Sequence, residues 1–271
     1  MQATAALLVL CFAMLAQDQP GGTPPPPAGQ PVLENTGKPM VVPFVCTAED
    51  IRSAGLSCTD EDPCPVYLEL TAATSSGIRL FAVGNIHTST ATLYSIILGS
   101  DDNGHTWREV FERLRASGFD AIQFADADNG WASGLLVSPL PQDPFLLHTT
   151  DGGKSWRQAP IFNETRYGSI LQFHFDDKSS GALILDHGPG SGSDRYERYE
   201  TTDGGDTWIV KETNQKPLML KRPPAAGAAP AEWRVRADGN SRSFQLEHRQ
   251  EQRWSSVAGF AVNLGVCRPG Q

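Results

Sequence analysis

Apolar and polar residues alternate along short stretches of the chain from about residue 66 onward. These stretches are rich in Val, Ile, Leu, Phe and Tyr, and Gly, Asp, Asn or Ser residues separate them. Such alternation between turn-forming residues is typical of half-buried β-strands, so we predict an all-β fold. The predicted strands fall into groups of four: 66–71, 79–84, 93–99 and 107–111; 121–125, 131–136, 145–149 and 156–160; 169–175, 181–186, 195–201 and 208–212.

A polar motif ends the third strand of each group and recurs about every 50 residues. Its pattern is Ser/Thr-x-Asp-x-Gly-x-Ser/Thr-Trp. The Asp can accept backbone hydrogen bonds within a tight turn, the Gly supplies a positive φ, and the Trp begins the next strand. We therefore expect these residues to be structural rather than catalytic. The motif residues are Ser100, Asp102, Gly104 and Trp107; Thr149, Asp151, Gly153 and Trp156; and Thr201, Asp203, Gly205 and Trp208.

This motif resembles the Asp-box, or BNR repeat, of sialidases, some xyloglucan-cleaving glycoside hydrolases, sortilin-type receptors and photosystem II assembly/stability factors. The stretch 122–134, IQFADADNGWASG, also resembles the repeat unit of the photosystem II factors. The resemblance covers about residues 66–212. It implies a β-propeller in which the turns join the two outer strands of each blade, away from the ligand site. Because the same turn occurs in hydrolases, receptors and assembly factors, it implies a fold rather than one function.

The spacing of the motif predicts a small β-propeller of about four to five blades built from Asp-box repeats, either closed by a disulfide or incomplete. A fourth, degenerate unit has strands at about 232–237 and 242–249, followed by Trp254 in the place of the turn tryptophan. We expect the segments 39–45 and 260–266 to pair and close the ring, or to supply part of a fifth blade.

The first 38 residues differ in composition from the rest of the chain. Residues 1–16, MQATAALLVLCFAMLA, are an apolar run followed at once by polar sequence, which predicts a secretory signal peptide. An uncleaved signal anchor is the alternative. Residues 17–38 are rich in Pro and Gly and are expected to form a disordered tether. The propeller domain is expected to span 39–271, in an extracytoplasmic location, secreted or periplasmic.

Four cysteines follow the predicted signal, and an even number in an exported protein predicts two disulfides. Three pairings are open. We favour Cys58–Cys64 as a local link and Cys46–Cys267 as a link between the two ends of the domain. A zinc site is the rival interpretation, but no His lies beside these cysteines. The segment 47–56 predicts a short helix that begins after a capping Thr.

The overall composition fits a folded soluble protein, with 39% hydrophobic and 20% charged residues. A net charge of −9 argues against nucleic acid as a partner and gives no reason to expect an anionic membrane surface. The chain has no Gly-x-Ser-x-Gly elbow, no phosphate-binding loop and no His-Glu-x-x-His motif. We therefore predict neither a cofactor nor a metal site.

In the resembled propellers the ligand face is built by loops at the end opposite the Asp-box turns. Here those loops are 85–92, 137–144 and 187–194, joined by the links between blades at 112–120 and 161–168. Loops on a rigid scaffold are where binding residues concentrate. The candidate binding residues are His87, Arg113, Arg115, Asp143, Arg166, Tyr167, His187 and Asp194.

We predict a non-catalytic binding or assembly scaffold, most similar to the photosystem II factor type, with a protein as the expected partner. The alternative is a carbohydrate-active protein, either a glycoside hydrolase or a lectin. A sialidase would need an arginine triad and a Tyr–Glu nucleophile pair, and the segment 196–200, YERYE, offers the second of these. Asp120, Asp143 and Glu164 are candidates for a two-carboxylate site. A third interpretation is a structural envelope module.

Overall fold

The computed structural model describes residues 31–137, 141–191, 194–220 and 232–269. Within these ranges it is almost entirely β-structure, which confirms the predicted fold class. The predicted signal peptide lies outside the described residues, as does most of the predicted tether. The elements are β1 (Leu33–Glu34), α1 (Ala48–Ser53), β2 (Cys64–Ser76), β3 (Arg79–His87), β4 (Thr92–Ser100), β5 (Thr106–Glu109), β6 (Ser117–Phe124), β7 (Gly130–Leu136), β8 (Gln142–Thr149), β9 (Arg157–Pro160), β10 (Ser169–Phe175), β11 (Gly181–Asp186), β12 (Tyr196–Thr201), β13 (Ile209–Asn214), β14 (Trp233–Asp238), β15 (Ser243–Gln250), β16 (Arg253–Ala261) and β17 (Asn263–Cys267).

The strands form four antiparallel sheets in a propeller-like arrangement. Three of them are four-strand units in chain order: blade 1 is β2 to β5, blade 2 is β6 to β9, and blade 3 is β10 to β13. Blade 1 gains β1 at its outer edge and β17 at its inner edge. The fourth sheet contains β14, β15 and β16. The predicted small propeller of repeated units is thus confirmed at the level of its sheets.

The inner strand of every blade contains a β-bulge at an equivalent place. The residues that the pairing leaves out are Thr71 in β2, Asp120 in β6 and Leu171 in β10. A bulge bends the strand and increases its twist. In blade 1 the chain comes so close at this point that a Cβ on Gly84 would lie 1.9 Å from the carbonyl oxygen of Glu69. Only Gly fits there.

Consecutive blades pack through aromatic side chains that rest on the repeated turn of the next blade. Phe81 of blade 1 meets the Trp156 ring of blade 2 edge-on, with ring centres 6.2 Å apart. Trp131 of blade 2 stacks on Phe175 of blade 3 at 3.7 Å. Its indole N–H donates to the carbonyl oxygen of Gly204, 2.9 Å away, in the third turn. Each turn therefore serves as a contact between blades as well as a link between strands.

The fourth sheet packs on the free side of blade 1, where Phe260 meets Trp107 edge-on with ring centres 5.3 Å apart. It is not a copy of the repeat. Trp233, which begins β14, donates its indole N–H to the hydroxyl of Ser75, which lies near the end of β2. The two strands therefore run in opposite directions. By contrast, the hydroxyl of Ser76 at the end of β2 reaches the turn that follows β6, so these two inner strands are parallel.

The outward side of the fourth sheet is polar. Trp254, predicted to stand in the place of a turn tryptophan, lies instead on this side, where the Arg234 guanidinium covers its ring at 4.2 Å. Arg234 and Arg236 both bind the carboxylate of Glu247. The turn before this tryptophan, at residues 251–252, lacks the Asp and the Gly of the repeated motif. A polar outer face is the usual feature of a terminal unit in a repeat protein.

Across the described residues, hydrophobic clusters join the fourth sheet to blade 1, blade 1 to blade 2, and blade 2 to blade 3. Within the same residues, neither a cluster nor a hydrogen bond joins blade 3 to the fourth sheet. The clusters thus link the sheets in the order fourth sheet, blade 1, blade 2, blade 3.

Both predicted disulfide pairings are confirmed. Cys46 and Cys267 are bonded with their Cα atoms 5.1 Å apart, and Cys58 and Cys64 with theirs 5.3 Å apart. The first bond joins the beginning of the domain to its end. Close to it, Met40 forms a parallel bridge with Phe260, so the segments predicted to meet do so.

The predicted boundary between tether and domain, placed after residue 38, needs a correction. Leu33 already pairs with Trp107 at the outer edge of blade 1. The Asn35 side-chain amide donates to the carbonyl oxygens of Gly104 and Val257. These bonds tie the first turn to the fourth sheet. The packed chain therefore begins before residue 39, because an unpaired strand edge offers hydrogen bonds that composition alone does not reveal.

Candidate functional site

The three repeated turns share one hydrogen-bond pattern. The Asp102 carboxylate accepts bonds from the backbone N–H of Thr106 at 2.8 Å and from its hydroxyl at 2.7 Å. Asp151 and Asp203 accept the same two bonds from the residue four positions ahead. The bonds from Thr106 hold the pKa of Asp102 at about 2, and those from Thr207 do the same for Asp203. This geometry is that of a structural turn.

At the opposite end of the blades, two of the candidate arginines face the N-terminal segment. Arg113 pairs with Glu109 and donates to the carbonyl oxygen of Pro43 at 2.8 Å. Arg115 lies 3.3 Å from the carboxylate of Asp50, which belongs to α1. These pairings fasten the N-terminal segment and the helix to blade 1. The two side chains are therefore already occupied.

Asp50 is a buried carboxylate with several donors. It forms a capping box with Thr47, as the predicted helix start requires, and it accepts the Tyr94 hydroxyl at 2.5 Å. Burial opposes its ionisation, but the bonds from Tyr94 and Thr47 outweigh that effect and lower the Asp50 pKa. Burial, together with the bond to Asp50 and its charge, raises the Tyr94 pKa to about 12. This pair is a structural anchor for α1.

His87 and Asp194 lie at the ends of two loops on the same side of the molecule. His87 is the last residue of β3. Its ring packs against the Tyr67 ring with ring centres 5.8 Å apart, and its Nδ1 lies 2.8 Å from the carbonyl oxygen of Thr88. Asp194 lies two residues before β12, next to residues 192–193, which are outside the described ranges.

The other four candidates come together where blades 2 and 3 meet. Asp143 exchanges two hydrogen bonds with the backbone of Arg166: its carboxylate accepts at 2.9 Å and its N–H donates at 2.7 Å. His187 places Nδ1 3.1 Å from the carbonyl oxygen of Tyr167. The loop after β7, the link between the blades and the loop after β11 therefore meet in one place.

At this junction lies a group that we call the Glu197 cluster: the predicted candidates Arg166 and His187, together with Glu197 and Tyr199, which sequence reasoning did not place in the site. The Glu197 carboxylate accepts the Tyr199 hydroxyl at 2.5 Å and lies 2.7 Å from His187 Nε2. The Arg166 guanidinium is 4.0 Å away. Glu197 and Tyr199 are two residues apart near the start of β12, so strand alternation puts them on one face. The spacing of Glu197 and Tyr199, next to a loop rich in candidate binding residues, is the sequence signal that could have placed them in the site.

The chemistry of the Glu197 cluster favours binding over attack on a substrate. Tyr199 is only 3% exposed, and burial, followed by the bond to Glu197 and its charge, raises the Tyr199 pKa. A tyrosine nucleophile needs access and a carboxylate that can remove its proton. Arg166, in contrast, lies 4.5 Å over the Phe162 ring and keeps 47% of its side chain exposed. Its neighbour Tyr167 is 58% exposed.

A second feature is a hollow of about 500 Å³ beside the inner strands of blades 2 and 3. The bulge residues Asp120 and Leu171 line it, together with Met219. Partial burial, followed by the charge of Glu69, raises the pKa of Asp120. The remainder of the lining is mixed, with three aliphatic, two polar and one aromatic side chain: Ala121, Ile170, Leu220, Ser133, Gln172 and Phe173.

Two general features bear on cofactors and location. Within the described ranges, no group of three or more His, Cys, Asp or Glu side chains is arranged to bind a metal ion. In the same part of the chain, no helix has the length and apolar character needed to cross a membrane.

Neither protein-family models nor curated proteins match the sequence. Solved structures with a similar fold include YCF48 bound to D1 peptide, with 20% identity, TM-score 0.41 and coverage of 72% of this chain and 56% of that chain. YCF48 from Cyanidioschyzon merolae has 18% identity and a TM-score of 0.38, with coverage of 72% of this chain and 57% of that chain. The Penicillium chrysogenum alpha-L-arabinanase complexed with arabinobiose has 13% identity and a TM-score of 0.39, with coverage of 74% of this chain and 62% of that chain. This chain thus spans less than two thirds of each structure, and likenesses at these scores assign it no activity or partner.

Proposed function

We propose that this protein is a non-catalytic, extracytoplasmic binding scaffold with Asp-box turns, and that its partner is a protein bound where blades 2 and 3 meet. The observation that carries the proposal is the exposed pair Arg166 and Tyr167 on a fixed support. Arg and Tyr are among the residues most enriched at the energetic centres of protein interfaces. The partner is expected to offer carboxylate or carbonyl oxygens to Arg166 and apolar surface to Tyr167.

Several contacts hold this pair in place. The Asp143 carboxylate fixes the backbone of Arg166, and the Phe162 ring lies under its guanidinium. One guanidinium nitrogen of Arg166 lies 3.5 Å from the Tyr199 hydroxyl, so the side chain is directed before a partner arrives. Holding a side chain in its bound position reduces the entropy lost on association. An arginine also carries five N–H donors, which suits it to recognise oxygen groups.

The test compares three forms of the full chain as bait in an envelope or secreted-protein extract of the source organism. The forms are the wild type, the double variant Arg166→Ala/Tyr167→Ala, and the control Ile78→Ala. Ile78 is an exposed apolar residue in the turn after β2, at the other end of the blades. We expect one protein to be retained by the wild type and by Ile78→Ala, and lost with the double variant.

With that partner purified, the double variant should bind roughly 30-fold more weakly or worse, as removal of interface anchors does. Equal binding by the wild type and the double variant would show that this surface is not the site. The control variant must bind like the wild type in the same titration.

Glycoside hydrolysis is the second candidate, and one observation favours it. Asp120 lines the hollow, and partial burial followed by the charge of Glu69 raises its pKa, which is the direction that a general acid requires. Among the described residues, however, the aromatic side chain in the lining of the hollow is Phe173, which is buried and so offers no exposed platform for a sugar ring. Turnover of an oligosaccharide panel by the wild type, lost in Asp120→Asn, would establish this function in place of the scaffold.

Export is part of the proposal. Two disulfides, one of them joining distant parts of the chain, are typical of proteins that fold in oxidising compartments. The experiment is cell fractionation followed by N-terminal sequencing of the recovered protein. Recovery in the envelope or medium, beginning after residue 16, is expected. Recovery in the reducing cytoplasm with free thiols would contradict it.

A further inference from the structure

Two strand bulges face the hollow beside the inner strands of blades 2 and 3. Asp120 is the residue that the pairing of β6 leaves out, and Leu171 is the residue that the pairing of β10 leaves out. A bulge can re-aim a side chain, and both of these side chains line the hollow together with Met219. The volume of about 500 Å³ lies within the range of ligand sites, which is roughly 300–1,000 Å³.

The backbone beside Asp120 is held by blade 1. The N–H of Phe119 donates to the side-chain oxygen of Asn85 at 2.9 Å, and its carbonyl oxygen accepts the hydroxyl of Thr71 at 2.9 Å. Asn85 belongs to β3 and Thr71 to β2. Asp120 therefore follows a residue that is bonded on both sides to the neighbouring blade. A group fixed in this way loses less entropy when a ligand binds.

The Asp120 carboxylate has no partner of its own. Across the part of the chain that the structure describes, neither a hydrogen bond nor an ion pair reaches it. The side chain is exposed where it lines the hollow. The nearby charge is that of Glu69, which is negative and disfavours ionisation of Asp120. A positively charged ligand would reverse this effect, because an opposite charge stabilises a carboxylate.

Next to this carboxylate the hollow presents apolar side chains to solvent. Leu171 is 46% exposed and Met219 is 67% exposed. An aliphatic stem lying on these two residues would remove apolar surface from water. Lysine side chains behave in this way on protein surfaces, where the stem covers apolar groups and the ammonium stays at a polar end. The lining therefore matches a cation that carries an unbranched stem.

A hard metal ion fits the same lining less well. Mg²⁺ and Ca²⁺ take six or more oxygen ligands, whereas Asp120 supplies the one carboxylate among the described lining residues. The side-chain oxygen of Gln172, also in the lining, already accepts the N–H of Leu220 at 3.0 Å. The unpaired carboxylate and the apolar surface beside it thus favour an organic cation.

We propose that this hollow binds a primary ammonium group on an unbranched aliphatic stem, with Asp120 as its counter-ion and Leu171 and Met219 against the stem. A lysine side chain and a free alkylamine both have this chemistry. The proposal does not depend on the partner bound near Arg166, so the variant Arg166→Ala/Tyr167→Ala should bind the amine like the wild type.

The experiment is an amide NMR titration of the full chain at pH 7. The probes are n-pentylamine, Nα-acetyl-lysine methylamide, and 1-pentanol, which has the same stem without the charge. We expect shifts at the amides of residues 120–121 and 170–173, with a Kd of about 1 mM for the amine. Binding of 1-pentanol should be at least about 10-fold weaker. From propylamine to pentylamine, each methylene should tighten binding roughly threefold.

Three variants separate the charge from the apolar surface. Asp120→Asn keeps the size of the side chain and should weaken n-pentylamine binding at least about 10-fold. Asp60→Asn removes the same charge from an exposed turn and should bind like the wild type. Leu171→Ala should flatten the dependence on stem length while leaving the preference for the amine over 1-pentanol. Equal melting temperatures would show that the variants fold alike.

Several results would overturn the proposal. The amine could cause no shifts at about 10 mM, or 1-pentanol could bind as tightly as the amine. Asp120→Asn could bind n-pentylamine like the wild type. The variant Lys221→Gln/Arg222→Gln, changed just beyond the described residues, could bind the amine about 10-fold more tightly, which would show that the chain's own cations fill the hollow. Binding of n-pentylamine without the lysine derivative would assign the site to free amines, and binding of both would extend it to lysine side chains.

Discussion

The indole N–H of Trp131 donates to the carbonyl oxygen of Gly204, which is 73 positions further along the chain and 2.9 Å away in space. The Trp131 ring lies between the rings of His148 and Phe175, with ring centres 4.8 Å and 3.7 Å away. One side chain therefore joins the middle of blade 2 to the turn of blade 3. It makes the Gly-Trp-Ala-x-Gly segment a link between repeats.

Replacing Trp131 by Phe should destabilise the protein. The change leaves the Gly204 carbonyl oxygen without its donor and leaves a gap in the ring stack. We expect the free energy of unfolding to fall by about 1–3 kcal/mol. The measurement is urea unfolding, with Trp254→Phe as the matched control, because Trp254 lies on the polar outer side of the fourth sheet. Equal losses in the two variants would show that the Trp131 contact has no special importance.

The turn aspartates should make the fold sensitive to strong acid. The pKa values of Asp102 and Asp203, about 2 in the folded protein, lie below the ordinary value of 3.8. A carboxyl whose pKa is lowered on folding stabilises the protein above its unfolded pKa and loses that effect as pH falls through the folded pKa. The loss should therefore occur between about pH 4 and pH 2. Solvent screening limits it to roughly 1 kcal/mol for each turn.

The double variant Asp102→Asn/Asp203→Asn tests this, since an amide does not titrate in that range. Its unfolding free energy should be lower than that of the wild type at neutral pH, and should change less between pH 4 and pH 2. Glu61→Gln, in an exposed turn, is the control. If the wild type and the double variant lost stability in parallel below pH 4, the turn carboxylates would not be the cause.

Removal of the two disulfides should lower the free energy of unfolding by different amounts. Cys46 and Cys267 are 221 positions apart, whereas Cys58 and Cys64 are 6 apart. In the chain-entropy model a longer loop gives a larger effect, so replacing the first pair by Ser should cost about 5 kcal/mol and the second about 2 kcal/mol. Unfolding under non-oxidising conditions compares the two double variants directly. The reverse order would show that local geometry outweighs loop length here.

Gly84 should tolerate no side chain. A Cβ at this position would lie 1.9 Å from the backbone oxygen of Glu69, which cannot move without disturbing the bulge in β2. We expect Gly84→Ala to lose more than about 3 kcal/mol or to fail to fold. Gly239→Ala is the control, because nothing lies within 4 Å of a Cβ there. Comparable melting temperatures for the two variants would contradict this account.

Much of the architecture follows from local sequence signals. The alternation of apolar residues locates the strands of the three blades, and the Asp–Gly–Trp spacing locates the turns between their outer strands. The pairing of Cys46 with Cys267 was favoured, among three open pairings, as a link between the two ends of the domain. These features depend on neighbours in sequence or on a small set of alternatives.

Features that depend on what a strand packs against could not be predicted from the sequence. The hydrophobic pattern of β14 would be the same whether the strand ran parallel or antiparallel to β2. From the sequence, the fourth sheet therefore looked like a degenerate repeat. Trp254 was misplaced for the same reason. Glu197 and Tyr199 were explained by alternation alone, because their convergence with His187 requires a loop fold that no local pattern specifies.

The bulges in β6 and β10 place two side chains beside a hollow and outside the regular strand pairing, whereas the Thr71 hydroxyl in the third bulge donates to the carbonyl oxygens of Val83 and Phe119. Thr71, Asp120 and Leu171 stand outside the regular pairing of their strands, and the last two line the hollow between blades 2 and 3. A change of side chain at Asp120 or Leu171 would alter the polarity of that hollow while leaving the neighbouring ladders intact. Descendants of this chain could acquire new ligands by mutation at two or three codons, with the scaffold inherited unchanged.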